Sequence, residues 1–238
     1  LPKLPYEFGV KEKEANNPYA YYTKEDLLNF YKDYVSDEES KKEYFYSSIN
    51  FALLEIAIEN STGIAFEELL VEKLFKPLKM EDSFVHPEQE NSKIPTQGFS
   101  IVGNPAPALR FQSFAASEGI KSSMNDLVKF VLANINNDPT ALAAALKNIQ
   151  QPTGDIKLNK ETKIAKGWHV LKPKKYYNVI LHSGSTNGHR AFIGFVKETK
   201  TGVIVLSNSE HREDGLGFLI LRMLNHDWKK KGKKRKKE

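Results

Sequence analysis

The eight residues from His182 to His189, with the sequence HSGSTNGH, combine side chains that could do chemistry. A histidine opens the stretch, and three hydroxyl groups and two glycines follow. The apolar runs on either side, 177–181 and 191–196, have the composition of strands. We therefore expect one strand to end here and turn into the next, where glycine lets a ligand approach backbone N–H groups. The pattern also fits an ordinary polar hairpin whose histidine is hydrogen bonded within the protein.

The elements that precede this stretch are predicted to be mainly helical. Residues 1–22 have no clear period and indicate an extended segment that lies over other parts of the fold. Thr23 and Asp26 form a capping-box-like start of a helix to about Tyr34. The apolar residues of 49–60 go nearly all the way round a helix, which predicts a central position for it, and Gly63 is expected to end it as the C-terminal glycine. Further helices are predicted over 66–74, from Ser123 to Ile135 and from Asp138 to Ile149, and a long loop with at most one short strand is predicted over 78–112.

After Gly154 the pattern changes from helices to strands. Strands are predicted over 167–171, 177–181, 189–197 and 202–207, and a closing helix over 212–228. Helices followed by an antiparallel meander and a final helix indicate an α+β protein in which helices cover a sheet.

Composition and charge exclude several classes of function. The 238 residues include no cysteine, which excludes disulfides, a thiol nucleophile and thiolate metal sites. The formal net charge of +5 is concentrated in 229–238, which holds eight of the Lys and Arg residues. We expect this basic tail to be disordered; binding to nucleic acid or lipid phosphates is the alternative, but no aromatic residue is interleaved to stack on bases. No nucleic-acid partner is therefore expected.

Histidine spacing argues against a metal hydrolase. The six histidines form no His-x-x-x-His pair, and the chain has no phosphate-binding glycine loop. We expect no metal and no cofactor.

Eight short motifs, in this order along the chain, resemble successive landmarks of the serine β-lactamase and penicillin-binding-protein superfamily. The branch that they most resemble is the class C β-lactamase-related, CubicO-type hydrolases and esterases. The resemblance covers nearly the whole chain except the basic tail. The motifs are Tyr46-Ser47-Ser48, Ser61-Thr62-Gly63, Phe75-Lys76-Pro77-Leu78-Lys79-Met80, Glu118-Gly119-Ile120-Lys121-Ser122-Ser123, Asp126-Leu127, Gly167-Trp168, His182-Ser183-Gly184 and Val205-Leu206-Ser207-Asn208.

The resemblance implies a β-lactamase/transpeptidase-like α+β fold, an antiparallel sheet flanked by helices plus a helical lobe. Residues 1–228 would be the C-terminal portion of such a domain. The helical lobe would occupy about 20–150, and the sheet with its closing helix about 160–228.

The resemblance also implies roles for particular residues. Tyr46 corresponds to the tyrosine that is the family's usual candidate for general base, a role that requires a phenolate stabilised by cations. Ser48 occupies the place where many members carry asparagine and would donate a hydrogen bond. The alternatives are that Tyr46 is a core aromatic residue and that Ser48 is the N-cap of the helix that follows.

The strand at His182 would match the Lys-Thr-Gly element of the family. His182 would replace its lysine, as in many esterase-like relatives, and Ser183 and Gly184 would bind substrate. Ser185 would supply a backbone N–H to an oxyanion hole. Histidine in place of lysine favours an esterase or peptidase over an efficient β-lactamase.

The chain departs from the family in one respect: no serine is followed three residues later by lysine. The Ser-x-x-Lys motif supplies the family's nucleophile. The opening residues Leu1 to Pro5 resemble a loop that follows the nucleophile helix in relatives, so we expect the N-terminal helix, edge strands and nucleophile helix to be missing.

Two functional hypotheses follow. The chain would be the C-terminal part of a serine hydrolase that acts on an ester, a peptide or a β-lactam through an acyl-enzyme, inactive without the missing segment. Alternatively, it is a non-catalytic truncated homologue that acts as a binding or scaffolding protein. Unpaired strand edges predict marginal stability, self-association or binding of the missing segment. Relatives commonly act outside the cytoplasm, so an extracytoplasmic location, periplasmic or secreted, is expected for the full-length protein.

Overall fold

The computed structural model describes residues 1–6, 8, 17–35, 44–86, 95–136, 140–173, 177–211 and 214–226. They form two units, Leu1–Ser123 with Thr186–Gly188, and Met124–Ser185 with His189–Glu238. The predicted basic tail, the predicted start of a helix at Asp138 and part of the predicted long loop lie outside the described residues.

The first unit begins with helix α1, Lys24–Asp33. Its start is the predicted capping box: the Asp26 backbone N–H donates to Thr23 Oγ1 at 3.1 Å, and the Thr23 N–H donates to Asp26 Oδ2 at 2.9 Å. Leu27 and Phe30 on the inner face are buried. Sequence and structure therefore agree on this helix.

Helix α2, Ser48–Thr62, carries the first candidate residues at its start. The Asn50 N–H donates to Ser47 Oγ, so Ser47 is the N-cap and the alternative role of Ser48 as N-cap is wrong by one residue. Gly63, with φ of 69°, ends the helix as predicted. Phe51 and Leu54 are exposed, so only one face of α2 is buried in this unit.

Three short helical segments follow without a break: α3, Phe66–Leu70, a π-helical turn, Val71–Phe75, and α4, Lys76–Leu78. The predicted long loop contains a two-stranded sheet, β1, Gly98–Phe99, and β2, Pro105–Ala106, where a single short strand was expected. A second π-helical turn, Ala115–Gly119, packs against α2.

Aromatic rings fill the core of the first unit. Tyr19 and Tyr22 are buried, and both rings contact the fully buried ring of Phe114. Phe8 packs edge-on against all three rings. The expectation that 1–22 packs on other parts of the fold is confirmed at Phe8, Tyr19 and Tyr22, but Pro18–Ala20 form a short 3-10 helix where an extended chain was expected.

The second unit is a sheet with helices. Helices α5, Met124–Ile135, and α6, Ala141–Ile149, precede six strands that pair in chain order, and α7, Asp214–Asn225, follows them. The strands are β3, Pro152–Lys157; β4, Thr162–Ala165; β5, His169–Leu171; β6, Val179–Thr186; β7, His189–Val196; and β8, Thr201–Ser207. Trp168 and Phe195 form the centre of one core cluster, with rings 5.3 Å apart.

The meander of β5 to β8 and the closing helix confirm the sequence-based prediction, but β3 and β4 were missed. Their sequences, PTGDIK and TKIA, are short and rich in polar residues, so they lack the apolar signal of the later strands. None of the helices in the described part of the chain is long and apolar enough to cross a lipid bilayer.

Candidate functional site

The first candidate group lies where the chain enters α2. Tyr46 is 45% exposed, whereas Ser48 is 2% exposed. The opening residues hold this point in place: Ser47 Oγ donates to the Pro2 carbonyl oxygen at 2.7 Å, and the Ser48 N–H donates to the Lys3 carbonyl oxygen at 3.1 Å. The local backbone is therefore fixed on both sides of Ser48.

Glu118, which we did not predict as a site residue, accepts two hydrogen bonds at this point. Ser48 Oγ donates to Glu118 Oε1 at 2.9 Å, and the Tyr19 hydroxyl donates to Glu118 Oε2 at 2.7 Å. We call Tyr19, Tyr46, Ser48 and Glu118 the Glu118 cluster. A serine hydroxyl has one hydrogen, so in this arrangement Ser48 offers only acceptor lone pairs to any other group. The predicted role of Ser48 as a hydrogen-bond donor in the reaction stays a prediction.

Electrostatics in the Glu118 cluster favour the neutral phenol. Burial, the Glu118 carboxylate and Tyr44 raise the pKa of Tyr46. Burial and Glu118 raise the pKa of Tyr19 far above its usual range. A phenolate at Tyr46, as a general base requires, therefore needs a cation to offset these effects.

A buried carboxylate positions the turn that carries Glu118. Glu55 on α2 is 2% exposed, and its Oε2 accepts the Ala116 N–H at 2.8 Å. Its other oxygen lies 3.3 Å from Lys24 Nζ on α1. Glu55, on α2, therefore contacts both α1 and the turn Ala115–Gly119, and these contacts fix the position of Glu118.

Lys121, three residues after Glu118, is a partly buried cation. Its Nζ donates to the carbonyl oxygens of Val85, at 2.8 Å, and Gly119, at 3.1 Å, and lies 5.0 Å from the ring centre of Phe111. Burial lowers the pKa of Lys121 to about 8, and Glu67 opposes this change.

The second candidate group, His182 to Ser185, lies on β6 in the second unit. The imidazole of His182 stacks on that of His169 at the start of β5, with ring centres 5.5 Å apart and planes 25° from parallel. Burial lowers the pKa of both histidines, and His169 lowers that of His182 further. Both rings are therefore held in the neutral form.

Beyond Leu181, strand β6 extends past its pairing with β5. The register between β5 and β6 ends with His169 opposite Leu181, while β6 continues to Thr186. Ser183, Gly184 and Ser185 are exposed. A Cβ placed on Gly184 would have no neighbour within 4 Å among the described atoms. A strand edge of this kind can offer backbone N–H groups to a ligand.

The turn after β6, Thr186–Gly188, groups with the first unit. Gly188 has φ of 75°, and a Cβ on it would lie 2.7 Å from both the Phe99 nitrogen and the Ala106 Cβ. The Phe99 N–H donates to the Gly188 carbonyl oxygen at 3.2 Å. Glycine is therefore required at this position by conformation and by space.

A metal site and an apolar cavity are two other kinds of site that a structure of this size can hold. Among the residues that the structure describes, no group of three or more His, Cys, Asp or Glu could hold a metal ion. A cavity of about 480 Å³ lies in the second unit, and its apolar lining includes Leu171, Val179, Val196, Phe218 and Leu221. None of the predicted site residues lines it.

The architecture described above, with helices and a mainly antiparallel sheet, is that of the β-lactamase/transpeptidase fold. A β-lactamase/D-alanine carboxypeptidase from Pseudomonas syringae superposes with a TM-score of 0.72 at 19% identity, over 85% of this chain and 65% of that one. The Beta-lactamase family model matches residues 1–224. The chain belongs to the β-lactamase family, a family of β-lactamase-fold serine hydrolases whose members act on small-molecule acyl substrates such as β-lactams.

Two curated relatives are similar in sequence. A β-lactamase from Yersinia enterocolitica is 25% identical, with 75% of this chain covering 58% of that protein. Protein flp from Staphylococcus aureus strain MW2 is 24% identical, with 78% of this chain covering 38% of that protein. The chain therefore spans 58% and 38% of the length of these two relatives.

The structure divides the predicted site residues into two groups. Tyr46 and Ser48 lie in the first unit, where Glu118 and Tyr19 join them. His182, Ser183, Gly184 and Ser185 lie together on β6 in the second unit, where His169 joins them. The catalytic and substrate-binding roles of all six stay predictions.

Proposed function

We propose that these 238 residues supply the proton-transfer and oxyanion side of an acyl-transfer reaction, as the C-terminal part of a serine hydrolase. The observation that carries the proposal is the open end of β6, where exposed Ser183-Gly184-Ser185 follows a half-buried His182. The backbone N–H of Ser185 would stabilise the charge that develops on the attacked carbonyl oxygen.

Tyr46 would accept the proton of the nucleophile. Its partial exposure at the start of α2 makes it accessible, and its raised pKa makes the phenolate depend on a nearby cation. The lysine of a Ser-x-x-Lys motif would provide that cation. Such a lysine would then act by lowering the pKa of Tyr46 toward the working pH.

The nucleophile would come from a segment outside these 238 residues. None of the serines in the sequence has lysine three residues later. Ser48, the serine nearest to Tyr46 in sequence after Ser47, is buried and already donates to Glu118. We therefore assign the residues of this chain to proton transfer and charge stabilisation, and the covalent step to the separate segment.

The substrate would be an ester or a peptide rather than a β-lactam. Lysine at position 182 would attract a substrate carboxylate, whereas His182 is held neutral by burial and by His169. A neutral imidazole donates a hydrogen bond but contributes no net charge. Substrates without a carboxylate beside the scissile bond therefore lose least from the replacement.

The test combines the chain with a Ser-x-x-Lys segment, taken from the same gene or from a structural relative. Hydrolysis of a p-nitrophenyl ester, a D-alanyl peptide with an amidated C-terminus and a chromogenic cephalosporin would be followed with and without the segment. We expect turnover only with the segment, and faster on the ester or peptide.

Turnover by the chain alone would contradict the assignment of the nucleophile. Tight binding of these compounds without turnover in either state would favour the alternative, a non-catalytic binding or scaffolding protein. Higher turnover of the cephalosporin than of the ester and peptide would contradict the substrate preference.

Partners and location are also proposals. β8 lies at one edge of the sheet, and Leu206 on it and Leu219 and Met223 on α7 are exposed, which supports self-association or binding of a separate Ser-x-x-Lys segment. A monomer in sedimentation analysis that melts in one sharp transition would contradict this. An extracytoplasmic location would be tested by fractionating cells that express the full-length gene.

A further inference from the structure

The carboxylate of Glu118 is fixed by two neutral hydroxyl groups. Ser48 Oγ donates to Glu118 Oε1 at 2.9 Å, and the Tyr19 hydroxyl donates to Glu118 Oε2 at 2.7 Å. The backbone of the same turn is held where the Ala116 N–H donates to Glu55 Oε2 at 2.8 Å. Both side-chain oxygens and the turn that carries them therefore have defined positions.

Within the part of the chain that the structure describes, no cation forms an ion pair with Glu118. Glu55 and Glu59, by contrast, share the ammonium group of Lys24. A carboxylate has about four lone-pair positions, so one donor on each oxygen leaves about two of them on Glu118 for another donor. Because Glu118 is partly exposed, a solute can approach its side chain.

Glu118 also lies at the predicted site of proton transfer. Tyr46 and Ser48 flank Ser47, whose backbone is extended, with φ of −142° and ψ of 114°. Side chains two residues apart in an extended segment point to the same side of the chain, whereas Ser47 donates to the Pro2 carbonyl oxygen. The Glu118 carboxylate, which accepts from Ser48, is therefore on the side of the chain to which Tyr46 points.

We propose that Glu118 is a specificity-determining residue: its carboxylate binds the ammonium group of an amine-bearing acyl substrate, an aminoacyl amide or ester. This role rests on the proposed function, which places the reacting carbonyl group near Tyr46. An ammonium N–H would donate to a Glu118 oxygen in a charge-assisted hydrogen bond. Because Ser48 and Tyr19 already fix the carboxylate, binding requires little further ordering of this side chain.

The test uses two anilides that differ in one group. Alanine p-nitroanilide, in its D and L forms, carries an ammonium group where isobutyryl p-nitroanilide carries a methyl group. The kcat/KM of each would be measured at pH 7 for the chain combined with a Ser-x-x-Lys segment. We expect Glu118→Gln to lower the ratio of the two kcat/KM values about 10-fold, the usual contribution of a hydrogen bond to a charged group.

The ratio is compared between wild type and variant, because the intrinsic reactivities of the anilides and any general loss of structure then cancel. Glu118→Asp, which keeps the charge, should retain more of the wild-type ratio than Glu118→Gln. Glu72→Gln, which removes an exposed carboxylate elsewhere in the first unit, should leave the ratio unchanged. A wild-type ratio in folded Glu118→Gln, or an equal fall in Glu72→Gln, would overturn the proposal.

A second measurement needs neither catalysis nor a substitution, so it decides the role of Glu118 if Glu118→Gln fails to fold. The 238-residue chain, labelled with carbon-13 at the glutamate carboxyl groups and assigned from the backbone, would be titrated by NMR with alaninamide and with isobutyramide. We expect alaninamide to shift the Glu118 resonance and to bind with a Kd about 10-fold lower than that of isobutyramide. Equal Kd values, or a Glu118 resonance that alaninamide does not shift, would overturn the proposal.

The two measurements distinguish failure of this role from failure of the proposed function. Turnover of both anilides with an unchanged ratio in Glu118→Gln would overturn the role of Glu118 and leave acyl transfer standing. Absence of turnover of both anilides would contradict acyl transfer, and the amide titration would still decide whether Glu118 binds an ammonium group.

Discussion

Tyr46 lies two residues before Ser48, whose buried hydroxyl donates to the Glu118 carboxylate, whereas His182 lies on a strand against a second imidazole. The first group is built from long-range hydrogen bonds at the start of a helix. The second is built from neighbouring strands whose end is open. Yet burial is the largest cause of both pKa changes, upward for Tyr46 and downward for His182.

Tyr46 and His182 are both held uncharged near neutral pH. A phenol with a raised pKa and an imidazole with a lowered pKa are both neutral there. Each can hydrogen bond and exchange a proton, but neither contributes the charge that acyl transfer requires. The charge would come from a cation beside Tyr46 and from backbone dipoles at Ser185.

The largest expected effect is on catalysis. In the chain combined with a Ser-x-x-Lys segment, Tyr46→Phe should reduce kcat/KM by about 10²- to 10⁴-fold, the usual contribution of a general base. Tyr44→Phe, two residues earlier, is the matched control and should stay within a few-fold of wild type. Wild-type kcat/KM in Tyr46→Phe would remove Tyr46 from the mechanism.

The open and packed parts of the β6–β7 hairpin should respond differently to an added methyl group. Gly188→Ala should lower the free energy of unfolding by about 2–4 kcal/mol, because the left-handed backbone and the contact with Phe99 and Ala106 both disfavour a Cβ. Gly184→Ala, where the Cβ meets no described atom, should change it by less than about 1 kcal/mol. Urea denaturation measures both, and equal losses would contradict the account of the turn.

Burial of Lys121 predicts a rise in stability with pH. Its folded pKa of about 8 lies below the usual 10.5, so the unfolded chain binds more protons between these values and the free energy of unfolding increases with pH. From about pH 7.5 to pH 9.5 the gain should be about 1–2 kcal/mol. Lys121→Met should remove this gain, and an identical pH dependence in the variant would show that Lys121 is not the cause.

The smallest effect concerns the histidine pair. Proton NMR titration should place the midpoints of His169 and His182 below 6.5. The unfolded state therefore binds more protons than the folded state at pH values near and below 6.5. The free energy of unfolding is then highest above pH 6.5 and falls as the pH drops through the lowered pKa values of the two histidines. His169→Gln should raise the His182 midpoint but leave it below 6.5, because burial is the larger cause. His226→Gln should leave the His182 midpoint unchanged. A His182 midpoint that stays the same in His169→Gln would show that His169 has no electrostatic effect on His182.

The sequence predicted the elements whose signals are local. The capping box of Thr23 and Asp26, the glycine stop at Gly63 and the apolar strands β6 to β8 are each determined by neighbouring residues. Strands β3 and β4 were missed because β3, at a sheet edge, is rich in polar residues and β4 is only four residues long, so neither has a distinctive apolar periodicity.

The candidate site was predicted less completely, for a related reason. Tyr46, Ser48 and the residues of β6 were found through their resemblance to family motifs, which are short and continuous. Glu118 and His169 act through contacts that folding brings together, across 70 residues to Ser48 in one case and across strands to His182 in the other. The sequence shows a glutamate in the motif that begins at Glu118, but it does not show that Tyr19 and Ser48 bond to this glutamate.

We propose that this chain contributes the proton-transfer and oxyanion side of the reaction and that its nucleophile comes from elsewhere. Intact-protein mass spectrometry after exposure to a fluorophosphonate, and separately to a penicillin, tests it most directly. We expect no adduct on the 238-residue chain alone, and an adduct on the Ser-x-x-Lys segment when the two are combined. A covalent adduct on any serine of this chain would contradict it.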